Sequence, residues 1–322
     1  MASVSDSAKA PVACAAEDPV DVHQFWHNSD GSDQLPTIPL ASCMSVAASS
    51  HHRGIVWSFV TFSNLPDGVE ARDARELLDE EALSIFPKLS LASDYLRVMA
   101  LRKYGGWYLD MDCLVLPGKE LPSLKTALRG FVGSLAPSPH RAPGMIAAVM
   151  GFDRPNHPLA SVMAREVQKT VDRLHLHLKH DTLQSVVYGC VQSRNYRPCL
   201  LKAIHLHGNV MWWNDEANLD MWIKPTAASK RQRFAACTLS PWSEVEEKAT
   251  CVHLSNSRIT FDDSFLARDN IRGPFGRLLW SVLDAGRGGK ATGKSTLCVA
   301  GQLHLEAFHG GNGRTDQGEA CV

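Results

Sequence analysis

Asp110 and Asp112 stand one residue apart in the stretch Leu91–Pro117, LASDYLRVMALRKYGGWYLDMDCLVLP. In an extended strand alternate side chains share a face, so both carboxylates are expected to point one way and Met111 the other. Two carboxylates on one face repel unless something neutralises them. A hard divalent cation does so well, because magnesium and manganese take oxygen ligands and complete their shells with water and a diphosphate. The chemistry this spacing suggests is a metal-bound nucleotide. Asp94 and Arg97, three apart, would project from one face of a helix. Alone they read as a surface ion pair worth little, and an isolated Asp-x-Asp recurs by chance.

The elements that must hold these groups follow from their neighbours. Ser93 is suited to cap a helix, and Leu96, Met99, Ala100 and Leu101 recur at helical spacing before Gly105 and Gly106 stop it. Trp107, Tyr108 and Leu109 favour a strand that delivers the two aspartates at its end. The combination Ser93-Asp94-x-x-Arg97, Leu101, Gly105-Gly106-x-Tyr108-x-Asp110-x-Asp112 is far more specific than any part of it.

From Ser93 to Asp112 this pattern resembles, without a gap, the signature of glycosyltransferase family 32. The glucosylating domains of the large clostridial toxins and the alpha-1,4 sugar transferases share it. The resemblance implies a Rossmann-like α/β domain of the GT-A type, with a mixed central sheet and helical insertions. It implies a metal-dependent, retaining transfer of a sugar from a nucleoside diphosphate to an acceptor hydroxyl, with Mn2+ or Mg2+ as cofactor. UDP-sugar is the first expectation for the donor and GDP-mannose the second; glycan, lipid and protein acceptors stay open. Asp110 and Asp112 would hold the metal, with Asp110 also near the donor. Asp94 and Arg97 would hold the donor sugar and phosphate region, and Ser93 and Tyr108 would line the same pocket. Arg97 suits oxyanions because its planar fork gives paired hydrogen bonds.

The remaining chain supplies candidates around this centre. Val20–Trp26 reads as the opening strand, and by resemblance Trp26 at its end stacks on the nucleobase. Residues 38–50 read as a helix, 55–62 as a buried strand and 71–83 as a charged helix. Residues 130–135 and 147–152 read as short strands. Asn156-His157-Pro158 begins a long helix on which His157 serves as a turn or cap residue rather than a ligand. Cys251–Ser257 is a short apolar strand with a polar end. In the resembling families such a segment completes the metal shell, which makes His253, Asn256 and Ser257 the candidates. His175, His177 and His180 lack a carboxylate or cysteine partner at ligand spacing. Trp212, Trp213, Trp222 and Trp242 are assigned to neither an acceptor wall nor the core.

Composition bounds the rest. A 322-residue chain with 44% hydrophobic and 21% charged residues can build one substantial core. A net charge of -1 and the absence of a basic cluster argue against nucleic acid. No transmembrane run or secretory signal is visible, and the nine cysteines form no Cys-x-x-Cys pair. A cytoplasmic enzyme is expected, with a truncated Golgi-type enzyme as the alternative. Residues 1–19 read as disordered, 20–285 as the catalytic domain and 286–322 as a flexible tail. Gly288–Ser295 matches the P-loop spacing but lacks the preceding strand and following helix that would aim amides at phosphate. Two rival functions are an inactive nucleotide-sugar-binding descendant and a haloacid-dehalogenase-type phosphatase using Asp262-Asp263. The latter wants a small residue where Leu114 stands.

Overall fold

The computed structural model describes residues 18–86, 88–136, 144–173, 209–212, 249–253, 266–268 and 274–287, together with Leu183, Val186 and Cys190. Strand β1 (Val20–Phe25), helix α1 (Thr37–Ala47), strand β2 (His52–Ser58) and strand β3 (Val69–Asp73) come first. The short helix α2 (Glu80–Leu83) and the long helix α3 (Leu89–Tyr104) lead into β4 (Gly106–Leu109) and β5 (Cys113–Val115). Then come β6 (Phe131–Ala136), β7 (Gly144–Phe152), α4 (Pro158–Asp172), β8 (Asn209–Trp212), β9 (Ala249–His253) and α5 (Pro274–Arg287).

Six strands form one sheet in the order β3-β2-β1-β4-β7-β6. The first four run parallel, and β7 and β6 are antiparallel to their neighbours, which makes the sheet mixed. A smaller sheet has the order β5-β9-β8. This is the Rossmann-like α/β architecture that the signature implies. The chain moves outward from β1 through β2 to β3, then returns to place β4 on the other side of β1. Connections therefore diverge between the carboxyl ends of β1 and β4, and such a divergence opens a crevice where open α/β sheets bind ligands.

Both faces of the sheet are covered, as parallel strands require. On one face Phe25, Ile55, Trp57 and Tyr108 pack against Leu91, Leu96 and Leu101 of α3 and Leu159, Met163 and Val167 of α4. On the other, Val22, Trp107 and Leu109 pack with Val46 of α1 and with Cys113 and Val115 of β5. Tyr108 thus faces α3 while its neighbours Trp107 and Leu109 face α1, as strand alternation dictates.

Three local expectations are corrected. Residues 71–83 do not form one helix: Val69–Asp73 is an edge strand pairing in parallel with β2, followed by a single 3-10 turn and α2. Its charged residues suit a solvent-facing edge, and the backbone ladder with β2 outweighs their helical propensity. Ser93 is not the N-cap, because α3 starts a turn earlier, at Leu89, with Lys88 in the capping position. The added turn buries Leu91 and Ala92. The strand bearing the aspartates stops at Leu109, and residues 110–113 form a turn closed by the Cys113 N–H donating to the Asp110 carbonyl at 2.9 Å.

One buried group makes stability depend on pH. His23 on β1 is fully buried; its Nδ1 accepts from Trp57 Nε1 at 3.2 Å, so Nε2 carries the proton and donates to the Gly105 carbonyl at 3.1 Å. Burial pulls its pKa down to about 4, against the opposing pull of Asp21 and the Gly105 carbonyl. The unfolded chain takes up this proton near its ordinary value of 6.5 while the native protein refuses it until about 4. Stability therefore falls as pH drops through that window, by up to about 3 kcal/mol. Urea midpoints measured across the window for wild type and His23→Gln test this; parallel pH profiles for the two would disprove it.

Candidate active site and metal centre

The helix α3, the strand β4 and the turn after it bring Ser93, Asp94, Arg97, Tyr108 and Asp110 together. Asp94 and Arg97 are not a surface pair: they are 3% and 5% exposed. Arg97 Nη2 lies 3.2 Å from Asp94 Oδ1 and donates to Asp110 Oδ1 at 2.9 Å and to Ser93 Oγ at 3.3 Å. Its guanidinium carbon sits 4.8 Å from the centre of the Tyr108 ring. The Tyr108 hydroxyl and Ser93 Oγ are hydrogen-bonded at 2.9 Å. Burial pushes the Tyr108 phenol well above its ordinary pKa, so it stays neutral. One guanidinium thus ties the helix to the turn and sets where Asp110 points.

Asp112 is served by a different element. In the antiparallel pairing of β5 with β9, Cys113 lies opposite His253. That register puts His253 Nε2 3.1 Å from Asp112 Oδ1, with both side chains little exposed. Burial opposes a charged His253, but Asp112, through its charge and its hydrogen bond, and Asp110 outweigh it and hold the pKa above the ordinary histidine value. Asp112, Cys113 and His253 offer ligand atoms within 4.8 Å of one another. Burial drives the Cys113 thiol well upward, so it remains a protonated, soft sulfur that suits no hard cation. The carboxylate and the imidazole are the usable donors.

Between the two aspartates, Met111 turns inward and packs with Leu35, Cys43, Val56 and Phe62. Trp26, just past the end of β1, packs against the same cluster, and its Nε1 donates to Asn28 Oδ1 at 2.7 Å. The Asn28 amide in turn donates to the carbonyls of Ser32 and Gln34, which orders the loop beside it. Trp26 and the aspartate turn therefore flank the crevice between β1 and β4. Three carboxylates (Asp94, Asp110, Asp112) against one guanidinium (Arg97) leave a negative site when His253 is neutral, a charge balance that suits a divalent cation.

Residues 41–126 match the model of the "glycosyltransferase sugar-binding region containing DXD motif". That segment therefore carries a glycosyltransferase-type sugar-binding region. The matched segment runs from α1 to just beyond β5, so it holds the whole Arg97 network and both aspartates of the Asp-x-Asp motif. No curated protein matches the chain. Among solved structures, the PaToxG glycosyltransferase is similar at 15% identity and a TM-score of 0.36, over 71% of this chain and 84% of its own. The galactosyltransferase LgtC, in complex with donor and acceptor sugar analogs, is similar at 12% identity and a TM-score of 0.44, over 86% and 98%. The glycosyltransferase GlyE of Streptococcus pneumoniae TIGR4 is similar at 13% identity and a TM-score of 0.45, over 85% and 64%.

Of the remaining sequence candidates, His157 caps α4: its Nδ1 accepts from the Leu159 N–H and its Nε2 donates to the Arg129 carbonyl at 2.7 Å. Asn256 and Ser257 lie outside the described residues, as do His175, His177, His180, the Asp262-Asp263 pair of the phosphatase reading, and Gly288–Ser295. Trp212 ends β8, and Trp213, Trp222 and Trp242 also lie outside them. Among the described residues no helix is long and apolar enough to cross a membrane. Sequence reasoning passed over Ser42 and Ser45 on α1, which meet β5 directly. Serines at positions i and i+3 on an otherwise apolar helix were the available signal.

Proposed function

We propose that this chain is a glycosyltransferase that moves a hexose from a nucleoside-diphosphate sugar, UDP-sugar before GDP-mannose, to an acceptor hydroxyl with retention of anomeric configuration and with a divalent cation, Mn2+ or Mg2+. The observation that carries the reading is the convergence of Asp112 with His253 beside an Asp110 aimed by Arg97, at the crevice between β1 and β4. Asp112 and His253 would hold the cation, with Asp110 adjoining. When bound, it offsets the charge that builds on the departing diphosphate. Trp26 at the end of β1 offers a face for the nucleobase, and Ser93, Asp94 and Tyr108 line the donor side. Arg97 is a positioning residue: its donors are directed to Asp110, Asp94 and Ser93, so it acts through the direction of those side chains.

In the transfer, the bond from the anomeric carbon to the diphosphate oxygen breaks and a bond to the acceptor oxygen forms. The acceptor hydroxyl passes its proton to the departing diphosphate oxygen, and no protein nucleophile is invoked. Water in place of the acceptor yields free sugar and nucleoside diphosphate, which makes donor hydrolysis a convenient assay. A panel of UDP- and GDP-sugars, with Mn2+, with Mg2+ and with chelator, is expected to show one donor hydrolysed only with metal. No hydrolysis of any donor, together with no metal-dependent thermal stabilisation by one, would overturn the reading.

Arg97→Lys is expected to lower donor hydrolysis by on the order of a hundredfold, because one ammonium cannot meet Ser93, Asp94 and Asp110 at once or stack on Tyr108. Melting temperatures measured alongside separate lost aim from lost fold. Wild-type turnover in this variant would show that Arg97 does not set the site.

A further inference from the structure

Strand β5 carries Asp112 at its start and is the outer strand of the three-stranded sheet. Its inner edge pairs with β9, and just beyond it the Leu116 N–H donates to the Thr250 carbonyl at 2.9 Å. An outer edge normally turns unpaired backbone groups to water or to another strand. Here it faces α1, and among the described residues no strand pairs with it. The groups are met by two serines instead. Ser42 Oγ donates to the Cys113 carbonyl at 2.6 Å, and the Val115 N–H donates to Ser45 Oγ at 3.0 Å. Ser45 Oγ also donates to the Ser42 carbonyl at 2.7 Å, and Gln24 of β1 donates through Nε2 to Ser42 Oγ at 2.7 Å. Gln24, Ser42 and Ser45 are all buried.

Each serine hydroxyl thus donates one hydrogen bond and accepts another, and the pair does the work of a neighbouring strand. Cys113 and Val115 are two apart, and their backbone groups point to the same edge; Ser42 and Ser45 are three apart and share a helix face. The spacings match. We propose that Ser42 and Ser45 are positioning residues for the metal centre, holding β5 in the register that keeps Asp112 against His253. The inference rests on the metal-dependent reading above and extends it to residues that touch neither donor nor ion. Without the hydroxyls, the β5 edge leaves a buried carbonyl and a buried N–H without partners, and the strand start that carries Asp112 loosens.

Ser42→Ala and Ser45→Ala are tested separately beside Ser45→Thr, which keeps the hydroxyl, and Val167→Ala, which removes volume from the fully buried face of α4 remote from β5. Mn2+ binding is followed by loss of the free-ion electron paramagnetic resonance signal, and amide exchange by mass spectrometry over residues 110–116. Each alanine variant is expected to bind Mn2+ on the order of tenfold or more weakly, with faster exchange in that segment, and Ser45→Thr to recover most of the affinity. Val167→Ala is expected to lower the melting temperature and keep wild-type affinity. Serine variants that melt early yet bind Mn2+ as Val167→Ala does would overturn the inference alone, since the serines would then be merely structural. If one alanine variant does not fold, the other carries the same decision. A wild-type protein that leaves the Mn2+ signal unchanged would instead overturn the metal reading, and this inference with it.

Discussion

Asp112→Ala is expected to lower metal-dependent donor hydrolysis by on the order of a hundredfold or more, the usual consequence of losing a preorganised group that stabilises developing charge. Asp112 is the carboxylate that meets His253 at 3.1 Å, so its removal takes away half of the described donor pair. It also removes the charge that most raises the His253 pKa. Asp110 is oriented instead by Arg97, which engages its Oδ1 at 2.9 Å. Hydrolysis by wild type and variant over a range of Mn2+ concentrations is the measurement. An active variant with an unchanged metal requirement would remove Asp112 from the metal centre.

Gly106→Ala is expected to cost about 3 kcal/mol or more. Gly106 has φ +78°, and a Cβ there would stand 2.4 Å from the Asp21 carbonyl oxygen. The left-handed backbone alone costs an L-residue about 1 to 2 kcal/mol, and the approach to backbone rather than to a flexible side chain leaves little to give way. The contact matters because it is made where β4 enters alongside β1, and that pairing sets the carboxyl ends of the two strands, which lead to Trp26 and to Asp110, next to each other. Gly118→Ala is the control: its φ is +71°, but nothing lies within 4 Å of the added carbon, so strain alone, about 1 kcal/mol, is expected. Denaturant midpoints for the two variants decide the matter. Equal losses would mean that the β1–β4 approach is looser than described.

The legible part of the sequence was the local part. The order Asp94, Arg97, Gly105-Gly106, Tyr108, Asp110, Asp112 carries a helix, a stop and a strand within one short stretch, because each feature depends on neighbours a few residues away. The glycine pair marks a helix end from sequence alone, and Gly105 indeed takes that place with φ +73°. Alternation at β1 and the apolar run at β2 announced two strands of a parallel unit. The errors were local rules overruled at a distance. Residues 71–83 look helical in isolation, yet Val69–Asp73 becomes a strand because β2 offers an edge to pair with. Ser93 looks like a cap, yet it lies inside the helix, where its hydroxyl meets Tyr108 and Arg97.

What the residues alone offered is chemistry: an acidic pair expected at the end of a strand, an Asp–Arg pair on the preceding helix that alone read as a surface pair, and a spacing that resembles a family signature. Which groups meet was decided by long-range pairing. His253 follows Asp112 by well over a hundred residues, and only the antiparallel register of β5 with β9 sets them side by side. Likewise, the i, i+3 spacing of Ser42 and Ser45 puts two hydroxyls on one helix face, but what they meet is decided only when the outer edge of β5 turns toward α1 with a carbonyl and an N–H to satisfy. A sequence encodes each side chain's donors and acceptors, but a buried backbone group takes whichever partner the packing brings within about 3 Å, and that partner is chosen by the whole fold.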